Sequence, residues 1–146
     1  REVTNPAHAR GRANDGRSMD DFEIVGPSFV VNGTPDEQRE QAATATRHKI
    51  AFYGTTPAYR TGLEVHGWGG LQDELNALSK QGEWQQMGTL IDDEILNTFA
   101  VVGEPEAVAP ELGRRYADVI DRLSFYAPYE SDPGRWTPVM EALKAI

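Results

Sequence analysis

The sequence contains no cysteine, which excludes disulfide bonds, thiolate catalysis and thiolate metal sites, so packing alone must hold the fold together. It also has no apolar run near the ~20 residues that a bilayer-spanning helix needs. The first residues are polar and charged, unlike a signal peptide. From these absences we expect a cytoplasmic protein with no membrane partner.

Positive charge is scarce as well: 14 lysines and arginines stand against 23 acids, a formal net charge of -9. Such a surface repels phosphate backbones, so nucleic acid is not an expected partner. There is no nucleophile elbow, P-loop or Gly-x-Gly-x-x-Gly motif, and hydrolysis or ATP chemistry has no support. The 146 residues and the 39% hydrophobic share suit a single segment, residues 1–146, with a real core.

Three stretches have strand character. Residues 22–31 are mostly apolar, β-branched or aromatic, which predicts a strand or a strand pair interrupted at Gly26 and Pro27. Residues 99–106 repeat the order of phenylalanine, apolar run, glycine and proline beside an acid, and residues 119–126 are a third candidate. Strands that alternate with helices through short links predict an α/β fold with parallel strands at residues 29–31, 99–102 and 119–125.

Helix start signals follow the first strand. Thr34 is a good N-cap, Glu37 completes a capping box with it, and Pro35 suits the first helical position. These residues predict a helix from Pro35 to about Phe52. Apolar residues at helical spacing predict further helices in a long insertion, after the second strand and at the end of the chain: Leu71, Leu75 and Leu78; Trp84, Met87, Leu90 and Ile91; Val108, Leu112 and Tyr116; Trp136, Met140 and Leu143.

Aromatic and hydroxyl side chains gather around Gly54 and Pro57, between two predicted helices. Such a group could form a lid over a planar ring or a substrate pocket. Helix–helix packing, with a threonine as helix cap, explains the same residues, and both interpretations stay open. The candidate lid residues are Phe52, Tyr53, Thr55, Thr56, Tyr59 and Trp68.

His66 is the candidate catalytic residue at the end of this insertion, where it could donate a proton to a substrate carbonyl. A histidine at a helix end more often satisfies the last carbonyls and the helix dipole. Three consecutive acids, Asp92, Asp93 and Glu94, point to different sides of a helix and lack the alternate spacing of a calcium loop. We expect these acids to form a solvated helix face, and we predict no metal site.

Several motifs follow one another in a recognisable order. Residues 51–59 read AFYGTTPAY and residues 63–68 read LEVHGW. They are followed by GEW at 82–84, IDDE at 91–94, VGEPE at 102–106 and DRLSFY at 121–126. In this order and spacing the motifs resemble luciferase-like monooxygenases, and among them the F420-dependent oxidoreductases of actinobacteria. The likeness runs from about Asp21 to the end of the chain.

The resemblance implies the C-terminal portion of a (β/α)8 TIM barrel, with a helical insertion, and a cofactor at the C-terminal mouth. The implied cofactor is coenzyme F420 or FMN, which exchanges hydride with a small organic substrate. The family's phosphate anchor would lie on strands ahead of Arg1, so we expect this chain to bind neither cofactor tightly and to be inactive alone. The alternative is a non-enzymatic α/β half-barrel module that binds a small ligand or self-associates as a homo-oligomer through open strand edges.

Overall fold

Three parallel strands form the sheet of this chain, for which a computed structural model describes residues 4–145. Short 3-10 turns at Pro57–Tyr59 and Pro133–Trp136 precede two of the helices. The other elements, in chain order, are α1 (Thr4–Asn14), β1 (Val25–Asn32), α2 (Asp36–Gly54), α3 (Arg60–Glu64), α4 (Gly69–Gln81), α5 (Trp84–Thr89), α6 (Asp93–Phe99), β2 (Ala100–Gly103), α7 (Pro105–Tyr116), β3 (Arg122–Tyr126) and α8 (Thr137–Lys144).

The strand order is β2-β1-β3, and both pairings are parallel. The two neighbours of β1 meet at Phe29, which pairs with Ala100 of β2 and with Tyr126 of β3. The predicted α/β fold, with parallel strands, alternating helices and a helical insertion, is confirmed. Successive barrel strands lie side by side in chain order, whereas β1 lies here between β2 and β3.

Side chains of β1 alternate between two hydrophobic clusters. Val31, together with Phe29, packs on the side that contains α2, α4, α5 and α6. Val30 packs with Val101 against α7 and α8 on the other side. Because neighbouring residues of a strand point to opposite faces, one continuous apolar run serves both layers. Helices therefore cover both faces of the sheet.

The predicted break at Gly26 and Pro27 is wrong, because β1 runs without interruption from Val25 to Asn32. Proline lacks the N–H that a ladder needs, so it is tolerated where one side of a strand is unpaired. β2 pairs with β1 only from Phe29 onward, so among residues 4–145 no strand lies on that side of Pro27.

The predicted capping box of Thr34 and Glu37 is also wrong. The cap position of α2 belongs to Pro35, which is extended (ψ 176°) and makes no side-chain hydrogen bond. A proline ring has no oxygen to offer the first helical N–H groups, and Thr34 lies one residue too early. The helix begins instead with Asp36 and Glu37, whose negative charges favour the N-terminal end of the helix dipole.

Three boundaries also differ from the prediction. Phe99 is the last residue of α6, so β2 begins at Ala100. The strand predicted from residue 119 begins at Arg122, because Val119 and Ile120 still belong to the turn after α7: both N–H groups donate to the Tyr116 carbonyl (2.9 Å each). Asp121 then binds Ile24, just before β1, through its N–H (2.9 Å) and its carboxylate (2.7 Å). Trp136 ends the 3-10 turn before α8 rather than lying in that helix.

The helical insertion is part of the core. Leu75, Met87 and Ile91 are buried in the cluster beneath α2. Gly54 and Leu75 touch so closely that a Cβ atom on Gly54 would lie 2.6 Å from Leu75 Cδ1. The predicted amphipathic helices of the insertion therefore pack on the body of the protein. In the described part of the chain, no helix has the length and apolarity to cross a bilayer.

The run of acids at the start of α6 is exposed, as predicted. Asp92 caps this helix, because its carboxylate accepts from the Ile95 N–H at 2.8 Å. Asp93 forms an ion pair with Arg47 of α2. Asp92 thus stabilises the start of α6 and Asp93 attaches it to α2. Across residues 4–145 no group of three or more metal-binding side chains comes together.

Tyr129 extends the pairing of β1 beyond the end of β3. Its hydroxyl donates to the Val30 carbonyl (2.8 Å) and accepts from the Asn32 N–H (3.2 Å). Burial raises the pKa of this phenol above its ordinary value, which keeps the donor proton in place. One side chain therefore takes the place of a further strand residue.

Glu111 joins two arginines of α7. Its carboxylate accepts from Arg114 Nε (2.6 Å) and Nη2 (2.7 Å) and from Arg115 Nε (2.6 Å). These bonds, first from Arg114 and then from Arg115, lower the pKa of Glu111 to about 2. Arg115 Nη1 also donates to the Ala100 carbonyl (3.0 Å), so Glu111 orients a link between α7 and β2.

We expect Glu111 to make stability depend on pH in the acid range. Its folded-state pKa of about 2 lies below the ordinary 4.5, so ionisation of the carboxyl favours the folded state. That contribution is fully present above about pH 4.5 and is lost as the pH falls toward about 2. Glu111→Gln should lower the urea midpoint at neutral pH and weaken its fall in acid. Identical pH profiles of the two proteins in urea unfolding would contradict this role.

Candidate functional site

A cavity of about 360 Å³ lies on the α2 face of the sheet, where β3 ends. Pro27 and Phe29 of β1 and Tyr126, the last residue of β3, form its floor. Ligands of parallel α/β proteins bind at the carboxyl ends of strands, and Tyr126 occupies such an end. Phe99, by contrast, lies at the amino end of β2, so the cavity is where β3 ends and β2 begins. The remaining lining residues are Ile50, Tyr53, Gly54, Tyr59, Gly62, Leu63 and Phe99.

The end of α2 shapes the wall of this cavity. Ile50, Tyr53 and Gly54 are three and four residues apart and share one side of the helix. A side chain at Gly54 would displace Leu75, so the close approach of α4 requires glycine there. The 3-10 turn that follows brings Tyr59 back against Tyr53, with ring centroids 5.7 Å apart and nearly perpendicular.

The floor is a cluster of aromatic rings. Phe29 and Tyr126 stack with centroids 4.9 Å apart and planes at 24°. The Tyr53 ring lies 6.3 Å from Phe29 and 6.5 Å from Tyr126. Such offset and tilted pairs are the favoured aromatic contacts, so the rings hold one another in place. The result is an aromatic, largely apolar surface, which suits a ligand with a ring of its own.

Two phenol hydroxyls, those of Tyr53 and Tyr126, form the polar end of the cavity, and the ammonium of Lys49, which does not line it, lies near both rings. The Tyr53 hydroxyl donates to the Tyr126 hydroxyl at 3.5 Å. This bond lowers the pKa of Tyr126 from its ordinary value and raises that of Tyr53, and Lys49 acts on Tyr126 in the same direction. The Lys49 ammonium lies 5.9 Å from the Tyr53 ring and 6.0 Å from the Tyr126 ring.

We expect Tyr53→Phe to raise the pKa of Tyr126, because the substitution removes the hydrogen bond that stabilises the phenolate. At a fixed alkaline pH, the ionised fraction of Tyr126 should therefore fall. The ring resonances of Tyr126, followed by NMR against pH, measure this directly. Tyr116→Phe, which removes a phenol elsewhere, is the control, and an unchanged Tyr126 titration in Tyr53→Phe would disprove the coupling.

Two of the predicted lid residues, Tyr53 and Tyr59, line the cavity. The other members near the end of α2 do not. Phe52 is half exposed and meets Tyr53 edge to face, at 5.9 Å between centroids. The Thr55 hydroxyl donates to the Phe52 carbonyl (2.8 Å), and Thr56 precedes the 3-10 turn without a side-chain cap bond.

His66 and Trp68 form a second aromatic group behind the cavity wall. Their rings stack 5.1 Å apart, and both meet Phe99, at 5.8 Å and 6.1 Å. Phe99 lines the cavity, whereas His66 is exposed and does not line it. The ring of Phe99 thus lies between the predicted catalytic histidine and the cavity. The catalytic role of His66 stays a prediction.

Sequence reasoning missed Phe29, Tyr126 and Lys49 as site residues. Tyr126 ends a predicted strand, and strand ends are where α/β sites form, so a signal was present. Phe29 lies in an apolar strand segment, a pattern that indicates only a core residue. Lys49 stands four residues before Tyr53 in α2, a spacing that places both side chains on the same helix face.

The chain matches one protein-family model and several curated proteins. A family model described as luciferase-like monooxygenase matches residues 2–122. Uncharacterized proteins of Mycobacterium tuberculosis and Mycobacterium bovis are each 52% identical over 122 residues, 84% of this chain and 36% of each relative. A 5,10-methylenetetrahydromethanopterin reductase of Archaeoglobus fulgidus is 28% identical over 127 residues, 84% of this chain and 34% of the reductase. The chain spans about a third of the length of these curated relatives.

Proposed function

Because the chain belongs to the luciferase-like monooxygenase family, we propose that it is the C-terminal part of an oxidoreductase that uses coenzyme F420 or FMN. The full-length enzyme would transfer hydride between that cofactor and a small organic substrate. The observation that carries the proposal is an aromatic cavity with a phenol at the carboxyl end of a parallel strand. Similarity to a reductase supports the same class of chemistry.

The described residues do not fit the whole cofactor. A cavity of about 360 Å³ is near the lower end of the about 300–1,000 Å³ of ligand pockets, which suits a molecule of one or two rings. Its lining residues include no lysine or arginine to hold a phosphate. The cofactor's phosphate and ring would therefore be held by strands that precede this segment in a full-length enzyme.

The chain's own residues would bind and orient the substrate. The rings of Phe29, Tyr53 and Tyr126 exclude water from its planar part. The hydroxyl of Tyr126 would direct a polar substituent, because it is the hydrogen-bonding group at the strand end. The cofactor supplies the redox chemistry, and protein groups of this kind fix the geometry in which it occurs.

Cofactor titration of two proteins tests this division of roles. The isolated chain should bind FMN or coenzyme F420 only weakly, with a Kd well above the micromolar range, which is about -8 kcal/mol of binding free energy. A full-length protein that contains this segment should bind one of them at least about tenfold more tightly. Cofactor fluorescence measures both. Micromolar binding by the isolated chain would place the cofactor site here, and a full-length protein that binds neither cofactor would end the oxidoreductase proposal.

A second candidate function is that of a non-enzymatic module that binds a small ligand or self-associates. The aromatic cavity supports it, because the cavity is formed by residues of this chain alone. The outer edges of β2 and β3, unpaired within residues 4–145, would be the contact surfaces of a homo-oligomer. Ligand binding without any cofactor-dependent turnover in the full-length protein would favour this function.

A further inference from the structure

Lys49 is an unusual cation in this chain. Its ammonium lies among three aromatic rings, those of Phe52 (5.5 Å), Tyr53 (5.9 Å) and Tyr126 (6.0 Å). Other cations near it are paired with carboxylates, as Arg47 is with Asp93 and Arg60 with Glu64. For Lys49, no carboxylate within residues 4–145 comes within ion-pair distance, although the net charge is -9. No such carboxylate neutralises its charge, which acts on Tyr126, a residue that lines the cavity.

Tyr126 has a hydrogen-bonding group to offer at the same place. Its oxygen accepts the bond from Tyr53, which leaves its own O–H to be donated elsewhere. The lowered pKa of Tyr126 makes that proton a stronger donor. The polar end of the cavity thus presents an O–H donor, with the Lys49 ammonium 6.0 Å from the ring that carries it. The lining also includes the apolar side chains of Ile50, Leu63 and Phe99.

We propose that the cavity binds a small planar, conjugated molecule with an anionic or carbonyl oxygen at one end, a phenolate or a conjugated carbonyl compound. The oxygen accepts from Tyr126 and faces Lys49, and the ring lies against Phe29 and Tyr53. The inference rests on the proposed function only in taking this cavity as the substrate site. A cationic ligand is disfavoured by Lys49, and an aliphatic one would make no ring–ring contact with the aromatic floor.

The test uses the complete 146-residue chain and two probes that differ in one group. 4-Nitrophenol, as its phenolate, presents the anionic oxygen, and 4-nitroanisole has the same ring with that oxygen methylated. Binding is followed by NMR shifts of the cavity residues, without any cofactor. The phenolate should bind about tenfold or more tightly than the anisole, since a hydrogen bond to an anionic oxygen is stronger than one to a neutral ether oxygen.

Three variants and a control assign the contacts. Lys49→Met and Tyr126→Phe should each weaken phenolate binding about tenfold and leave anisole binding unchanged. Gly62→Leu should weaken binding of both probes, because Gly62 is a lining residue, and the fold accommodates a side chain there since nothing lies within 4 Å of a Cβ atom. Lys80→Met removes the same charge from an exposed site at the end of α4 and should change nothing. Circular dichroism confirms that each variant is folded.

Three results would overturn the inference: equal affinity for the two probes, binding of neither, or phenolate binding that Gly62→Leu leaves unchanged. The outcome is separate from that of the proposed function, because these titrations involve no redox step. Selective phenolate binding by a protein whose full-length form lacks cofactor-dependent turnover would refute only the oxidoreductase proposal. Failure of the titrations beside a working full-length enzyme would refute only the substrate class.

Discussion

Replacing Leu75 with alanine should lower the free energy of unfolding by about 2–5 kcal/mol, the cost of a cavity at a fully buried leucine. Leu75 is a residue of α4 that is 0% exposed, and its side chain packs against Gly54 at the end of α2. The loss would show that the helical insertion belongs to the core of the protein. Urea unfolding of the isolated chain measures it, with the slope of the transition as a check on two-state behaviour.

Val65→Ala is the matched control, because Val65 lies in the same insertion but is 64% exposed, and it should change stability by less than about 0.5 kcal/mol. A double substitution sharpens the result. Gly54→Ala alone should destabilise the protein, since the new methyl group overlaps Leu75. In the Leu75→Ala background the methyl group enters vacated space, so its cost should fall. Equal losses in Leu75→Ala and Val65→Ala would show that the insertion is peripheral.

Substitutions at the cavity of a full-length enzyme should affect turnover more than stability. We expect at least one of Tyr53→Phe, Tyr59→Phe, Tyr126→Phe and His66→Ala to lower kcat/KM about tenfold or more, roughly 1.4 kcal/mol of transition-state binding. Each tyrosine variant loses only a hydroxyl oxygen, and His66 is exposed, so the melting temperature should hardly change. Tyr126→Phe should have the largest effect, because Tyr126 ends a strand at the polar end of the cavity.

Steady-state kinetics and thermal unfolding of the same preparations separate the two effects. Met140→Ala serves as the control, because Met140 is an exposed residue of α8 and does not line the cavity. If all four site variants instead melt earlier and keep full turnover per folded molecule, residues 52–68 are packing elements, and the lid interpretation is wrong. A selective loss in His66→Ala alone would mean that the histidine, behind Phe99 in this structure, approaches the substrate in the full-length enzyme.

The parallel strands could be predicted because their signal is local and repeated. The order of phenylalanine, apolar run, glycine and proline marks β1 with α2 and then β2 with α7, and both units are found. Strand order could not be predicted in the same way. It depends on which helices cover each face, and the alternating residues of β1 are apolar on both sides. Such a strand carries no information about its neighbours.

The residues of the cavity were likewise predictable only where their signal is local in the sequence. Tyr53 and Tyr59 are six residues apart and were predicted from local clustering around a turn. Tyr126, by contrast, reaches Tyr53 across 73 residues of sequence, through the register that pairs it with Phe29. Side chains that meet only through strand register cannot be identified from spacing. The failed cap at Thr34 has the opposite cause, since a local rule was satisfied there while the chain placed Pro35 at the cap position.

The hydroxyl of Tyr129 also bears on how this protein behaves at high concentration. β3 stops opposite Phe29, and the phenol takes up the next backbone groups of β1, at Val30 and Asn32. Over these residues the central strand therefore gives another molecule no place to add a strand of its own. Within residues 4–145 the free edges belong to the four residues of β2 and the five of β3. Edges this short offer an incoming strand few backbone bonds, which protects the sheet from fibril-like growth.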